Sequence, residues 1–202
     1  MRIRRFVILT ALLLMTMQSF AQTSLDALYG MFDSGAVSIS CSYEMAVQQT
    51  KVVGNSDLYI QGKMYRMDGN GLAVYCDGLS VWVVDESSKE VVIEPVSDTP
   101  EEYMNNPVLL LADIDGFFNV QSQKTDKGRT RCVLVAVKDC GVDQVFLNLD
   151  EKGLIHDAVF SLSDGSELDV NVSSMKKAEE KPSSFFSPQL DFGPDWIVTD
   201  LR

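Results

Sequence analysis

Residues 58–68 read LYIQGKMYRMD, residues 69–71 read GNG, and residues 72–85 read LAVYCDGLSVWVVD. Short runs rich in aromatic, β-branched and methionine side chains alternate here with turn residues, which is typical of successive antiparallel strands. After Gly62 the apolar positions shift to Tyr65 and Met67, and a β-bulge at this glycine would explain the shift. The stretch therefore predicts strands joined by tight turns.

The run before this stretch alternates between apolar and polar residues with a period of two, which is typical of a strand with one solvent-exposed face. Its apolar positions are Val37, Ile39, Cys41, Tyr43, Met45 and Val47. Further short runs follow at 131–137, 144–149, 158–162 and 167–172, separated by turn residues. Regular spacing of this kind predicts one large curled antiparallel sheet, a half-open β-barrel, in an α+β domain.

Short helices are predicted to cover this sheet. Thr23 can cap a helix whose apolar residues continue at helical spacing until Gly35. A second helix is predicted at residues 99–102, which form a capping box with proline at the first helical position. A third begins after Asn106, is apolar nearly all round and ends at Gly116. This third helix is therefore either ordinary core or the wall of a cavity.

Residues 1–21 have the layout of a secretory signal peptide. Three arginines precede an apolar run from Phe6 to Met17, and small residues lead to a predicted cleavage site after Ala21. The run is shorter than the roughly 20 residues of a membrane-spanning helix, although an uncleaved anchor is the alternative. No cysteine follows the cleavage point, which argues against lipid anchoring of the mature chain. Residues 22–202 are then predicted to form one exported domain.

The formal net charge of the whole chain is −12. Loss of the signal-peptide arginines would make it more negative. Such a charge argues against binding nucleic acid and against binding anionic lipid through a basic patch. It also helps to keep a protein soluble while that protein carries an apolar cargo.

Export permits disulfides among Cys41, Cys76, Cys132 and Cys140. Four cysteines allow three connectivities, which sequence cannot separate. Cys41 and Cys76 fall on two early strands and could meet as a disulfide, or all four could be buried thiols. No CxxC pair occurs, so the spacing does not favour a zinc or thioredoxin-like site.

The chain is predicted not to be an enzyme. Its only histidine, His156, lies near a turn and has no catalytic partner nearby in sequence. No nucleophile elbow, phosphate-binding loop or zinc-protease motif occurs. The acidic residues are scattered over turns, where solvated charge is the ordinary explanation. No cofactor or metal is therefore expected.

The order of elements resembles that of the outer-membrane lipoprotein carrier family, the LolA-like periplasmic lipoprotein chaperones. The matching features are Asp77-Gly78 before Trp82, the helical segments at 99–114, the run FFSP at 185–188 and the final run IVTD at 197–200. The chain departs from the family pattern at Gln61-Gly62, where better-studied carriers place an arginine that helps to hold the helical lid closed. Lys63 likewise replaces the usual proline, which indicates a divergent branch.

The resemblance implies a periplasmic, monomeric carrier that binds the acyl chains of lipoproteins and delivers them from the inner to the outer membrane. An inner-membrane release complex and an outer-membrane acceptor are the implied partners. A sensor of envelope lipids or other apolar ligands, with the same fold, is the alternative. Flexible methionine and broad aromatic side chains suit an adaptable apolar pocket. The residues expected to line this cavity are Val37, Ile39, Tyr43, Met45, Leu58, Ile60, Tyr65, Met67, Leu72, Val74, Trp82, Leu109, Leu110, Phe117 and Phe118.

Overall fold

A computed structural model describes residues 25–33, 35–47, 50–97 and 114–202. These residues are mostly β structure, and their strands join into a single 12-stranded sheet. The strands are β1 (Ala36–Val47), β2 (Thr50–Gln61), β3 (Met64–Gly69), β4 (Leu72–Cys76), β5 (Ser80–Asp85), β6 (Glu90–Pro95), β7 (Phe118–Asp126), β8 (Arg129–Ala136), β9 (Val142–Leu149), β10 (Ile155–Leu162), β11 (Glu167–Ala178) and β12 (Ile197–Asp200).

The spatial order is β12-β6-β5-β4-β3-β2-β1-β11-β10-β9-β8-β7. Every neighbouring pair is antiparallel except β12, which runs parallel to β6 at one edge. The predicted antiparallel sheet is confirmed. The predicted α+β class is corrected to mostly β, because the described helices are few and short. Curling of the sheet into a half-barrel stays a prediction.

Two helical segments are described, α1 at residues 25–32 and the single turn α2 (Ile114–Phe117). The first predicted helix is confirmed, because its apolar residues at positions 25, 28 and 31 lie on one helical face and are buried. The capping residue Thr23, the helix predicted at 99–102 and most of the third predicted helix lie outside the described residues. None of the described helices combines the length and apolar character needed to cross a bilayer.

The face of the sheet that α1 covers is called the helix face here. Two buried apolar clusters lie on it. The first joins Leu25 and Leu28 of α1 to side chains of β8, β9 and β10, and the second joins Met31 of α1 to side chains of β1 to β4. Side chains in a strand alternate between faces, so the period-two pattern of β1 supplies this apolar surface.

Residues 179–196, called the C-terminal segment, cover part of the opposite face over strands β2 to β6. A 3-10 turn (Ser183–Phe186) places the rings of Phe185 and Phe186 against Tyr59, with centroids 5.2 and 6.1 Å from the Tyr59 ring. Further along, Phe192 and Trp196 pack against a third apolar cluster on β4, β5 and β6. The sheet therefore buries apolar side chains on both faces in its first half.

Gln61 ties this segment to the sheet. Its side-chain amide donates to the carbonyl of Lys181 at 3.2 Å and accepts from the Lys181 backbone N–H at 2.8 Å. Gln61, at the end of β2, thus contacts the C-terminal segment in both directions. Nearby Arg66 also lies on the opposite face, with its guanidinium 5.0 Å from the Tyr75 ring and 5.1 Å from the Phe185 ring.

The predicted bulge at Gly62 is wrong. β2 ends at Gln61 and β3 begins at Met64, so Gly62 and Lys63 form a two-residue hairpin turn. Gly62 has a φ of 58°, a conformation that glycine adopts at little cost and that two-residue hairpins require. The apolar positions change from even to odd numbers after Gly62 because the chain reverses there, which pairs Ile60 with Tyr65 and Leu58 with Met67.

Gly69 should be the least replaceable glycine of the β2–β3 pair. A Cβ at this position would lie 2.4 Å from the backbone carbonyl oxygen of Asn55, which cannot move without shifting β2. Gly69→Ala is expected to lower the free energy of unfolding by about 1–3 kcal/mol, measured by urea denaturation. The control is Gly30→Ala in α1, where a Cβ meets nothing within 4 Å and a helical alanine adds roughly 0.5–1 kcal/mol. Equal stabilities of the two variants would contradict the expectation.

Candidate functional site

Seven of the predicted cavity residues lie in two adjacent rows across the helix face. Antiparallel register aligns Val37, Ile60, Tyr65, Cys76 and Val81 in the first row, one residue from each of β1 to β5. The second row, two residues away along each strand, contains Ile39, Leu58, Met67, Val74 and Val83. The two rows together form a continuous apolar surface, called the row surface here.

Trp82 lies on the other side of the sheet, contrary to its predicted place in the cavity. It is aligned with Tyr75, Arg66 and Tyr59 across β5, β4, β3 and β2. Its indole packs in the third cluster, against which Phe192 and Trp196 of the C-terminal segment also pack. The side chain therefore does not belong to the row surface.

Tyr43, Met45 and Leu72 lie at the margin of the helix face. The Tyr43 hydroxyl accepts a hydrogen bond of 2.7 Å from the side-chain amide of Asn70. Met45 is half-buried against the first cluster, and Leu72 is 43 % exposed at the start of β4. None of the three belongs to the two rows.

Phe117 and Phe118 lie in the first cluster, while Leu109 and Leu110 lie outside the described residues. Both phenylalanines are buried where α2 meets β7. Beside them is an apolar cavity of about 30 Å³, which is room for roughly one water molecule. Sequence reasoning missed most of its lining, although alternation in the β8 and β9 runs could have indicated it. The lining residues are Ile114, Phe118, Leu134, Val145, Leu147, Ile155, Ala158 and Phe160.

The α1 helix is the described cover of the row surface. Met31 belongs to the second cluster and Phe32 packs against it, while Leu25 and Leu28 belong to the first cluster. Apolar contacts of this kind are non-directional. The described contacts of α1 with the two clusters are of this kind.

Tyr65 places a polar atom inside this apolar region. The residue has no solvent-exposed surface, and its hydroxyl has no hydrogen-bond partner in the described structure. Burial is the main cause that raises the pKa of Tyr65, with smaller contributions from Cys76 and Glu94, so the phenol stays protonated. A buried hydroxyl without a partner costs about 1–3 kcal/mol, which makes this position unusual for a purely structural residue.

All four cysteines are free thiols, so of the two alternatives the Cys41–Cys76 disulfide is excluded and the free thiols are found, with Cys41 only partly buried. Cys41 pairs with Ser56 on β2, whereas Cys76 pairs with Tyr65 on β3. Three strand spacings of about 4.8 Å separate β1 from β4, whereas a disulfide requires Cα atoms roughly 4.4–6.8 Å apart. Burial raises the pKa of the Cys41 and Cys76 thiols, which disfavours the reactive thiolate.

His156 lies in an exposed groove away from the row surface. Its Nδ1 is 2.6 Å from Oδ2 of Asp157, whose other oxygen accepts a hydrogen bond from Asn148. Lys124, Arg129 and Arg131 are among the other residues that line this groove. Within the described ranges, no group of three or more His, Cys, Asp or Glu side chains is arranged to hold a metal ion.

Comparison with solved structures shows which proteins have a similar fold. An uncharacterized conserved protein from Thermus thermophilus superposes with a TM-score of 0.56 at 14 % identity, covering 89 % of this chain and 98 % of that one. A LolA superfamily protein from Nitrosomonas europaea has a TM-score of 0.47 at 12 % identity, covering 83 % of this chain and 97 % of the other.

A putative outer membrane lipoprotein-sorting protein domain from Vibrio parahaemolyticus also has a TM-score of 0.47, at 13 % identity and with 83 % and 94 % of the two chains covered. No protein-family model and no curated protein matches the chain. At these identities the likeness concerns the fold alone. The chain shares its overall fold with the Thermus protein.

Proposed function

We propose that this protein is an exported carrier that binds the acyl chains of lipid-modified proteins and delivers them from the inner to the outer membrane. The observation that carries the proposal is the row surface, a continuous apolar area on one face of a large sheet beneath the short helix α1. An acyl chain gains about 0.8 kcal/mol for each methylene removed from water. A surface of this kind therefore supplies the affinity that a carrier needs.

The side chains around the row surface suit a ligand of variable shape. Met31, Met67 and Met175 lie on or beside it, and methionine fills irregular spaces because its side chain is flexible and polarizable. The C-terminal segment covers the opposite face, which leaves the helix face as the side where a cover can move. We therefore place the acyl chains between α1 and the row surface.

We propose that binding in this place involves movement of the cover. The apolar cavity described on the helix face holds about 30 Å³, far less than an acyl chain occupies. Displacement of α1, together with rotation of Met31 and Phe32, would open the row surface to a ligand. In this proposal the described position of α1 is the closed position of the cover.

Uptake of a fluorescent fatty-acid probe tests the binding site. Met67→Glu places a charge in the second row, where it would be desolvated beside the ligand, and should weaken probe binding about tenfold or more. Thr50→Glu adds the same charge at the exposed start of β2 and should leave binding unchanged. Equal probe affinities of these two folded variants would remove the row surface as the site.

Depletion of the protein in its native cells tests the transport role. Lipid-modified proteins destined for the outer membrane should accumulate at the inner membrane, which membrane fractionation measures. Normal sorting combined with altered envelope-stress signalling would instead support a sensor with the same ligand site. The inner-membrane release complex and the outer-membrane acceptor are then the partners to seek by crosslinking to the loaded protein.

A further inference from the structure

We propose that Tyr65 is the polar anchor of the ligand site, and that its hydroxyl donates a hydrogen bond to the ester or amide carbonyl of a bound acyl chain. This inference rests on the proposed function and deepens it. It assigns the ligand class as carbonyl-linked acyl chains, as distinct from hydrocarbon or ether-linked chains. It also assigns to one residue of the row surface the specificity for carbonyl-linked chains.

The argument begins with the place of the hydroxyl. Tyr65 occupies the centre of the first row, between Ile60 on β2 and Cys76 on β4. It has no exposed surface, and the cluster around it is formed by apolar residues and Cys76. In the described structure its hydroxyl has no hydrogen-bond partner. Phenylalanine would fill almost the same volume without an unsatisfied polar atom.

Two other tyrosines, on the nearby strands β1 and β2, have hydrogen-bond partners for their hydroxyls. Tyr59, on the opposite face of β2, donates its hydroxyl proton to the backbone carbonyl of Glu179. Tyr43, at the margin of the helix face, accepts a hydrogen bond from the side chain of Asn70. Tyr65 differs from both, because its hydroxyl points to no partner although it is the most deeply buried of the three.

The chemistry of the ligand group that could bond to Tyr65 follows from the properties of its phenol. Burial raises the pKa of Tyr65, so at neutral pH the phenol keeps its proton and can donate. The proposed partner is an acceptor that can reach a site surrounded by apolar side chains. A carbonyl at the head of an acyl chain meets both requirements, since the chain itself contacts the apolar rows while its carbonyl oxygen accepts one hydrogen bond.

The position of the cover is consistent with this assignment. Met31 of α1 belongs to the same cluster as Tyr65, and Phe32 packs against that cluster. Displacement of α1 would thus uncover the hydroxyl and the apolar rows together. A ligand that enters there replaces the apolar contacts of α1 and also satisfies the phenol.

The test compares two ligands that differ in one carbonyl, 1-palmitoylglycerol with an ester link and 1-hexadecylglycerol with an ether link. Displacement of the fluorescent fatty-acid probe measures both affinities. The wild-type protein should prefer the ester by roughly three- to tenfold, the usual range for one net hydrogen bond. Tyr65→Phe should abolish this preference by weakening ester binding and leaving ether binding unchanged.

Tyr59→Phe is the matched control, because it removes the same atom from the opposite face of the sheet. It should lower the melting temperature by breaking the bond to Glu179 and should keep the ester preference. Tyr65→Phe, by contrast, should melt at the same temperature as the wild type or higher. This difference separates a ligand-binding hydroxyl from a structural one.

The outcomes are distinct. If the wild-type protein binds both ligands equally, or if Tyr65→Phe keeps the ester preference, the anchor is overturned while the carrier function stands. If neither ligand nor the probe binds, the proposed function fails and the anchor fails with it.

Infrared spectroscopy of the wild-type protein with carbonyl-labelled ligand tests the same hydrogen bond without any variant. The carbonyl band should shift to lower frequency on binding, and an unshifted band would overturn the anchor.

Discussion

Phe186→Ala should lower the free energy of unfolding by about 3–5 kcal/mol, the usual cost of emptying a buried phenylalanine site. The ring has no exposed surface and lies edge-on to Phe185, with centroids 5.2 Å apart. It also contacts the ring of Tyr59 on the opposite face of the sheet. Its removal leaves a cavity under the C-terminal segment, which cannot collapse because β2 and β3 are fixed by their neighbours.

Urea denaturation followed by tryptophan fluorescence measures this loss, since Trp196 belongs to the same C-terminal segment. Leu190→Ala is the control, because Leu190 is 38 % exposed and should cost only about 0.5 kcal/mol. Probe binding on the helix face should persist in folded Phe186→Ala protein. A loss in stability no larger than that of the control would show that the segment does not pack on the sheet in solution.

Leu28→Ala should destabilise the cover of the helix face, at a cost of about 2–5 kcal/mol. Leu28 is fully buried and attaches α1 to the first cluster. Because α1 is short, much of this cost should appear as local detachment of the helix and less as unfolding of the whole sheet. The fluorescent probe should then bind at a faster rate, since the covered fraction of the row surface falls.

Hydrogen exchange distinguishes local from global effects. The amide of Asp33 donates to the carbonyl of Tyr29 at 3.0 Å and reports on the end of α1. Its exchange in Leu28→Ala should rise about tenfold or more relative to amides in the centre of β1. Asp26→Ala changes an exposed residue of the same helix. It should leave the exchange rate of the Asp33 amide, relative to the β1 amides, unchanged. If Leu28→Ala raised the exchange rates of the Asp33 amide and of the β1 amides equally, α1 would not open separately from the sheet.

The two faces of the sheet differ in how they are covered. On the opposite face, Gln61 bonds to Lys181 in both directions and Tyr59 bonds to Glu179, so directional contacts add to the aromatic packing. On the helix face, α1 contributes mainly apolar side chains to the clusters. Directional bonds specify one geometry, whereas apolar contacts tolerate rearrangement. The apolar contacts of α1 with the clusters are why we assign ligand entry to the helix face.

Some of the site followed from the sequence because its strands alternate clearly. The period-two pattern of β1 assigned Val37 and Ile39 to an apolar face, and the structure places both in the two rows. Trp82 was assigned to the wrong face because every residue from 81 to 84 is apolar. A strand that is buried on both faces shows no alternation, and only the C-terminal segment makes β5 such a strand.

Other features depend on contacts between distant parts of the chain. β7 pairs with β8 as an edge strand, although residues 119–126 are mostly polar and their pattern does not indicate a strand. The Gly62 turn was interpreted as a bulge, since parity alone cannot separate a reversal from an inserted residue. The unpartnered state of the Tyr65 hydroxyl likewise depends on all the side chains packed around it.

The amino-acid sequence by itself determined that the protein is built from short antiparallel strands with an apolar face and few helices, because alternation and turn residues are local properties of the chain. The tertiary structure alone decided which side chains share a row, which face the C-terminal segment covers and that the Tyr65 hydroxyl has no partner among the described residues. These features depend on the register between strands and on packing across the sheet. Neither is encoded within any single segment.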